Sequence, residues 1–320
     1  MTDSVVEAAI AAIDSESATQ TEKIEMLIQI AQDLQQKPRD ADQLWQAIAL
    51  HRHALDLCGN DHPLLRARAM TGTATALRTI PADDTDLLLQ AKTLYNAALP
   101  ILQEHAAPEE VAETEMNIGL VLQALVPCHK AKMADSIQAY QRALRVFTGS
   151  AYPQEHAILQ NNIAIAYLSM PLSAEGDDMR QALAVQAFQQ ALEWVNLIDH
   201  PNEYAMLQNN LGNALQYLPS THPVDNNWKA IAAYDEALKV RTARDTPLEY
   251  ATTLANKANA LANLPDQDDE TLSNAKNLAQ AQAHYQEAKI LFEQFGQFDQ
   301  AQTVAQALAD LAADLPGSDP

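Results

Sequence analysis

This 320-residue chain has few of the residues that break helices or staple small folds: 8 glycines, 2 cysteines and only 5% aromatic residues. So little glycine, beside abundant Ala, Leu and Gln, excludes a turn-rich β architecture and points to an all-α chain. Cys58 and Cys128 fall in different parts of the repeat pattern described below, so no structural disulfide is expected. No run approaches the roughly 18 uninterrupted apolar residues of a membrane-spanning helix. Positive charge is also scarce, at 20 Lys+Arg against 42 Asp+Glu and a formal net charge of −22. Nucleic acid is recognised through a basic face that displaces counterions, and anionic lipid repels a chain this acidic. Neither is an expected partner; a neutral or basic protein or peptide is. The start, MTDSVVEAAIAAIDSES, is acidic and lacks the basic region of a signal peptide, so the expected compartment is the cytoplasm.

Motifs that carry chemistry are missing as well. There is no Gly-rich phosphate loop, no His-Glu-x-x-His, no Cys-x-x-Cys and no Gly-x-Ser-x-Gly. Acid pairs are frequent, but in so acidic a chain they arise by chance and carry no acid–base argument without a pocket. His51, His53, Cys58 and His62 come nearest to a metal set. Helical spacing puts His51 and His53 about 200° apart, which prevents joint chelation. The acidic stretches Asp83-Asp84-x-Asp86, Glu175-x-Asp177-Asp178 and Asp266-x-Asp268-Asp269-Glu270 lack the spaced ligands and glycine of a calcium loop. They are expected to be solvated loops whose Asp or Ser residues cap the following helix, with a rim for a basic partner as the alternative. No catalytic residue, metal or cofactor is expected, and the chain reads as non-enzymatic.

What the chain does have is a repeated phrase, Ala-x-x-x-aromatic-x-x-Ala. It occurs at Ala91/Tyr95/Ala98, Ala184/Phe188/Ala191, Ala230/Tyr234/Ala237 and Ala281/Tyr285/Ala288, with looser copies at Ala47/His51/Ala54 and Ser136/Tyr140/Ala143. Successive copies are 44, 45, 48, 46 and 51 residues apart. A period in this range marks a stack of one supersecondary unit. Ahead of five of the phrases lies a segment bracketed by prolines: Pro63–Pro81, Pro108–Pro127, Pro153–Pro171, Pro201–Pro219 and Pro247–Pro265. Each segment is long enough for about four to five helical turns. Apolar residues recur in it at helical spacing, as in Leu207, Leu211, Leu215 and Leu218. A leading proline suits a first turn, whose N–H has no partner anyway, and a trailing one stops the helix. Each repeat is thus predicted as helix A, a loop and helix B. Gly119, Ala164, Gly212 and Ala258 share one position of helix A, and Ala184, Ala230 and Ala281 are expected opposite them. Glycine inside a helix costs up to about 1 kcal/mol, so Gly119 and Gly212 mark places where helices approach closely.

Leu211-Gly212 followed by Ala230-x3-Tyr234-x2-Ala237-Leu238 resembles the tetratricopeptide repeat (TPR) family. Gln160 and Gln208 replace its usual Trp, and the period exceeds the family's 34 residues, with most of the extra length between helices A and B. The phrases Gln160-Asn161-Asn162-Ile163-Ala164 and Gln208-Asn209-Asn210-Leu211-Gly212 resemble the extended repeats of kinesin light chains and many bacterial proteins. The resemblance covers roughly residues 21–295. It implies one all-α domain over 1–320, a right-handed superhelical solenoid of about six hairpins. A helix over 3–17 and a closing helix over 298–314, starting after Gly296 and covering the last hairpin with Val304, Leu308 and Leu311, would cap its ends. A kink or an early helix end is expected at Pro100, and the tail Pro316–Pro320 is expected to fray.

By the same resemblance, helix A lines a concave binding groove. Arg78, Leu120, Gln123, Asn161, Ile165, Asn209, Asn213, Gln216, Asn259 and Asn263 are the groove residues it implies. Asparagine offers a donor and an acceptor to a peptide backbone without demanding charge. Asn209, Asn213, Asn259 and Asn263 are expected to be exposed there. Asn162, Asn210 and Asn256 are expected instead to bond neighbouring helix backbones and hold the repeats in register. The implied function is a scaffold or adaptor that binds a partner protein or peptide; a regulator sensing a ligand or peptide is the alternative.

Overall fold

The computed structural model describes residues 4–81, 84–170, 177–218, 223–264 and 271–314. The described residues are helical in long antiparallel runs. The chain divides into two compact units, Met1–Thr148 and Gly149–Pro320, which are treated separately. The first contains α1 (Ser4–Ser15), α2 (Gln20–Gln36), α3 (Ala41–Cys58), α4 (Pro63–Thr79), α5 (Thr85–His105), α6 (Pro108–Leu125) and α7 (Met133–Ala143). The second contains α8 (Pro153–Leu168), α9 (Asp177–Leu192), α10 (Pro201–Gln216), α11 (Pro223–Leu238), α12 (Pro247–Ala262), α13 (Thr271–Gln294) and α14 (Phe298–Asp314).

The leading prolines act as the sequence predicts. Pro63, Pro108, Pro153, Pro201 and Pro247 each open their helix in its first turn. Thr19 begins α2 with a capping box: its hydroxyl accepts from the Glu22 N–H and the Glu22 carboxylate accepts from the Thr19 N–H. Asp40 and Asp84 cap α3 and α5 through their side chains. Asp84 and Asp86 thus belong to a capped helix start. Asp83, Glu175, Asp266, Asp268, Asp269, Glu270 and the tail Pro316–Pro320 lie outside the described residues. Gly296 ends α13 in the left-handed conformation (φ 73°), where the Gln297 N–H returns to the Phe292 carbonyl at 2.8 Å.

Each helix packs mainly on its chain neighbours, and every other helix also meets along the stack: α2 with α4, α4 with α6, α8 with α10 and α10 with α12. This is the pattern of a helical repeat. The aromatics of the repeated phrase are buried among the core residues. Tyr95, Tyr140, Phe188 and Tyr234 are fully buried, and each contributes on the order of 1.5–3 kcal/mol by leaving water. Val304 and Leu311 of α14 are buried in the core of the second unit and Leu308 packs against it, so α14 closes this core as expected.

Of the two outcomes expected at Pro100, the early helix end does not occur. α5 continues through Pro100 to His105. Only the hydrogen bond to the Asn96 carbonyl is forfeited by the ring, and Asn96 and Pro100 are both exposed, so that carbonyl is open to solvent.

Candidate functional site

The small residues of helix A allow the aromatics of helix B to lie against backbone. A β-carbon on Gly119 would stand 2.3 Å from the Tyr140 ring, and one on Gly212 would stand 2.6 Å from the Tyr234 ring. Ser136, at the small position of α7, donates to the Gly119 carbonyl at 2.9 Å. Sunk this deep, a tyrosine ring reaches across helix A, and its hydroxyl emerges among the last-turn side chains of that helix.

What the hydroxyl meets depends on the repeat. The Tyr234 hydroxyl donates to Asn213 Oδ1 at 2.7 Å and accepts from Gln216 Nε2. The Tyr140 hydroxyl donates to Gln123 Oε1 at 2.9 Å. Tyr95 shares a 2.7 Å bond with Thr75 Oγ1, with the Arg78 guanidinium alongside. Gln123, Gln216 and Arg78 all stand fifteen residues after their bracketing proline. In the α8–α9 repeat that position is Leu168, Ile165 replaces Asn213, and the aromatic is Phe188, which has no hydroxyl. Burial raises the pKa of every one of these phenols, Tyr140 to about 12, so they stay neutral hydroxyls.

In the second unit the amides extend this arrangement. Asn259 Nδ2 donates to Gln216 Oε1 at 3.0 Å, and Asn263 Nδ2 donates to Asn259 Oδ1 at 3.1 Å. Asn213, Gln216 and Asn259 are half-buried and Asn263 is exposed. Tyr217, 67% exposed, stands beside them. The result is an uncharged, amide-rich patch where α10 and α12 end, with its orientation fixed from below by the Tyr234 hydroxyl.

Asn161 and Asn209 lie elsewhere. Each is only 5% exposed, so the expectation of an exposed Asn209 is corrected. Both belong to a ladder across α8, α10 and α12: Asn210 donates to Asn161 Oδ1 at 2.7 Å, Asn209 to Asn210 Oδ1 at 3.0 Å, and Asn256 to Asn209 Oδ1 at 3.3 Å. Asn161 donates to Asn162 Oδ1 at 3.4 Å. Asn210 and Asn256 do reach the neighbouring helix, but they bond side chains there and not backbone. The physical reason is reach: an asparagine at this helix-to-helix seam meets another amide before it meets a carbonyl already held in its own helix.

In the first unit Leu120, Gln123 and Arg78 are half-buried. The Arg78 Nε is buried without a hydrogen-bond partner. Two other arginines of this unit are matched: Arg68 forks onto Glu110 with two bonds of 2.9 Å, and Arg142 onto the buried Glu115 at 2.7 and 2.8 Å. His51 occupies the aromatic position of α3, fully buried against Gly72, and neither ring nitrogen has a partner. Burial lowers its pKa to about 4. Among the described residues no three His, Cys, Asp or Glu side chains are grouped to hold a metal ion, and no helix is long and apolar enough to cross a membrane.

Sequence reasoning missed the tyrosine hydroxyls and Tyr217. The signal was present for the hydroxyls: Tyr accompanies Gln or Arg at the fifteenth position after the proline in three repeats, and Phe accompanies Leu in another.

No family model and no curated protein matches this chain. Its structure is similar to that of a Signal Transduction ATPase with Numerous Domains (STAND) protein with a tetratricopeptide repeat sensor, from Pyrococcus horikoshii. The TM-score is 0.60 at 16% identity, covering 94% of this chain and 42% of that one. This chain therefore spans well under half the length of that protein. Looser matches are BtubC from P. vanneervenii (TM-score 0.42, 16% identity, 99% of this chain and 95% of that one) and the TPR2AB domain of yeast Sti1 in its pHSP90 complex (TM-score 0.31, 16% identity, 91% and 99%). Scores that low add nothing to the fold assignment. The fold is a TPR-like helical repeat.

Proposed function

We propose that the chain is a non-enzymatic cytoplasmic scaffold that binds a neutral or basic peptide segment of a partner protein on the helix-A face. The observation that supports this best is the oriented amide patch of Asn213, Gln216, Asn259 and Asn263 beside exposed Tyr217. Amides held in place from below lose little freedom when a peptide backbone docks, at about 0.5–1.5 kcal/mol net per hydrogen bond. Leu120 and Ile165 offer apolar anchors in their own units, and Gln123 and Arg78 offer polar ones. Asn161 and Asn209 support this face from beneath.

A pull-down from lysate of the native organism, read by mass spectrometry, tests the proposal. The baits are the wild-type chain and an Asn213→Ala, Asn259→Ala, Asn263→Ala variant. A protein held by the wild type and lost by the variant supports the reading, and equal capture by both overturns the amide patch as the site. A second reading, a regulator that senses a ligand or peptide, draws on the STAND protein, whose repeats are described as a sensor. It takes precedence if no protein is captured and a metabolite raises the melting temperature.

A further inference from the structure

The first unit has an open groove whose lining includes none of the side chains bonded to the tyrosine hydroxyls. Arg66, Met70, Thr73 and Leu77 recur at helical intervals and form one stripe along α4. α3 and α5 both pack on α4 but scarcely meet each other, and the space between them is open along that stripe. It consists of two cavities of about 520 Å3 each; Leu55 and Leu94 line both, so they join end to end. The stripe runs about 16 Å, some three helical turns. Leu77 and Leu89 make one end apolar and Met70 the other.

Charged groups stand at the rim. Arg52 and Asp86 border one cavity, Asp56 and Arg66 the other. Among the described residues, the ion pairs of this unit join Arg68 to Glu110, Arg142 to Glu115 and His105 to Glu104, and none involves the four rim groups. Each rim charge is close enough to an apolar floor to favour an occupant that brings the opposite charge with it.

We propose that this groove docks an amphipathic helix of a partner protein. The helix lays a leucine-type stripe on Leu55, Leu77 and Leu94. It brings a carboxylate to Arg52 and, one turn along, a lysine or arginine to Asp56. Arg52 and Asp56 are four residues apart on α3, so this acid–base order sets the direction in which the helix lies. An extended peptide fits poorly. Apart from the Asn96 carbonyl of α5, the mid-helix backbone groups around the groove are used internally, so an extended strand finds little there to satisfy its own N–H and C=O groups, whereas a helix arrives with them already paired.

The test displays a phage library of amphipathic helices about five turns long, with leucine fixed on one face and Glu, Lys, Gln or Ser varied beside it, against the full chain. Enrichment of helices with Glu and Lys one turn apart is expected. Leu94→Glu should weaken them about tenfold or more, and re-selection on Arg52→Glu should replace the Glu by Lys. Arg52 is exposed, so that variant keeps the fold whatever Leu94→Glu does. The Asn213→Ala, Asn259→Ala, Asn263→Ala variant should bind the selected helices as the wild type does, which separates this site from the amide patch. No enrichment over a scrambled library overturns the proposal. So do selected helices that bind Leu94→Glu as tightly as wild type, or whose flanking charges do not change on Arg52→Glu.

Discussion

Two successive repeats of the second unit share one scaffold and present different faces. In α8–α9 the central aromatic is Phe188, and Ile165 and Leu168 stand at the positions where a hydroxyl would emerge. In α10–α11 the aromatic is Tyr234, whose hydroxyl ties Asn213 and Gln216 together. One oxygen atom on a fully buried ring therefore accompanies the change from an apolar face to an oriented polar one. The lesson concerns how helical repeats carry function: the exposed chemistry of helix A is set partly by a side chain buried beneath it on helix B. A polar face of this kind cannot be altered at the surface alone without leaving a buried hydroxyl or amide short of a partner.

The largest effect should come from closing the space that lets the ring reach through. In Gly212→Leu a side chain must start 2.6 Å from the Tyr234 ring, which is fully buried and has nowhere to go. A loss of about 3 kcal/mol is expected, read as a lower melting temperature by circular dichroism. Ala164, at the same position of the adjacent repeat, already carries a β-carbon and is fully buried in the same core as Phe188, so that slot accepts a methyl group there.

His51 extends the comparison to a ring with neither an apolar edge nor a partnered polar one. Its pKa in the folded chain, about 4, lies below the ordinary 6.5. The unfolded chain therefore takes up the proton first as pH falls. The cost is absent above pH 6.5, grows as pH drops toward 4, and reaches about 3 kcal/mol there. His51→Leu should remove that part of the acid sensitivity, so that wild type and variant melting curves diverge between pH 6.5 and 4. At about pH 7 the variant should be about 1 kcal/mol more stable, because two unpartnered ring nitrogens are no longer buried. Parallel curves for the two proteins across that range would contradict the burial of a neutral imidazole.

A smaller effect is expected for Tyr234→Phe. Gln216 and Asn213 lose their shared partner, but both are only half-buried and Gln216 keeps its bond to Asn259, so the loss should be about 1 kcal/mol. Amide exchange at the end of α10 should quicken more than in the helix centre, reporting a looser patch in an otherwise intact core.

Much of this architecture was legible from the prolines and small residues. Pro201 and its counterparts fix helix starts through a local rule, the missing N–H, and Gly212 announces close packing because nothing else justifies glycine in a helix interior. The Gln-Asn-Asn phrase was harder to read. Neighbouring positions on a helix differ by about 100°, and the side of the seam on which Asn209 falls depends on how α10 rolls against α8 and α12. That roll is a tertiary outcome, and it turns Asn209 inward while leaving Asn213 half open. The groove over α4 was illegible for a related reason: it is a gap between α3 and α5, helices that are not adjacent in the chain, and no local pattern encodes a gap.

The coupling between the buried ring and the last turn of helix A is tested most directly in the repeat that lacks it. The measurement is a thermal-unfolding cycle of wild type, Phe188→Tyr, Leu168→Gln and the double variant. Phe188→Tyr alone should cost about 1–2 kcal/mol, because its hydroxyl emerges beside Ile165 and Leu168 with no partner. The double variant should regain at least half of that loss, since the glutamine introduced by Leu168→Gln recreates the pairing seen between Tyr140 and Gln123. Strictly additive losses, with no recovery in the double variant, would contradict the claim that the ring beneath governs the face above.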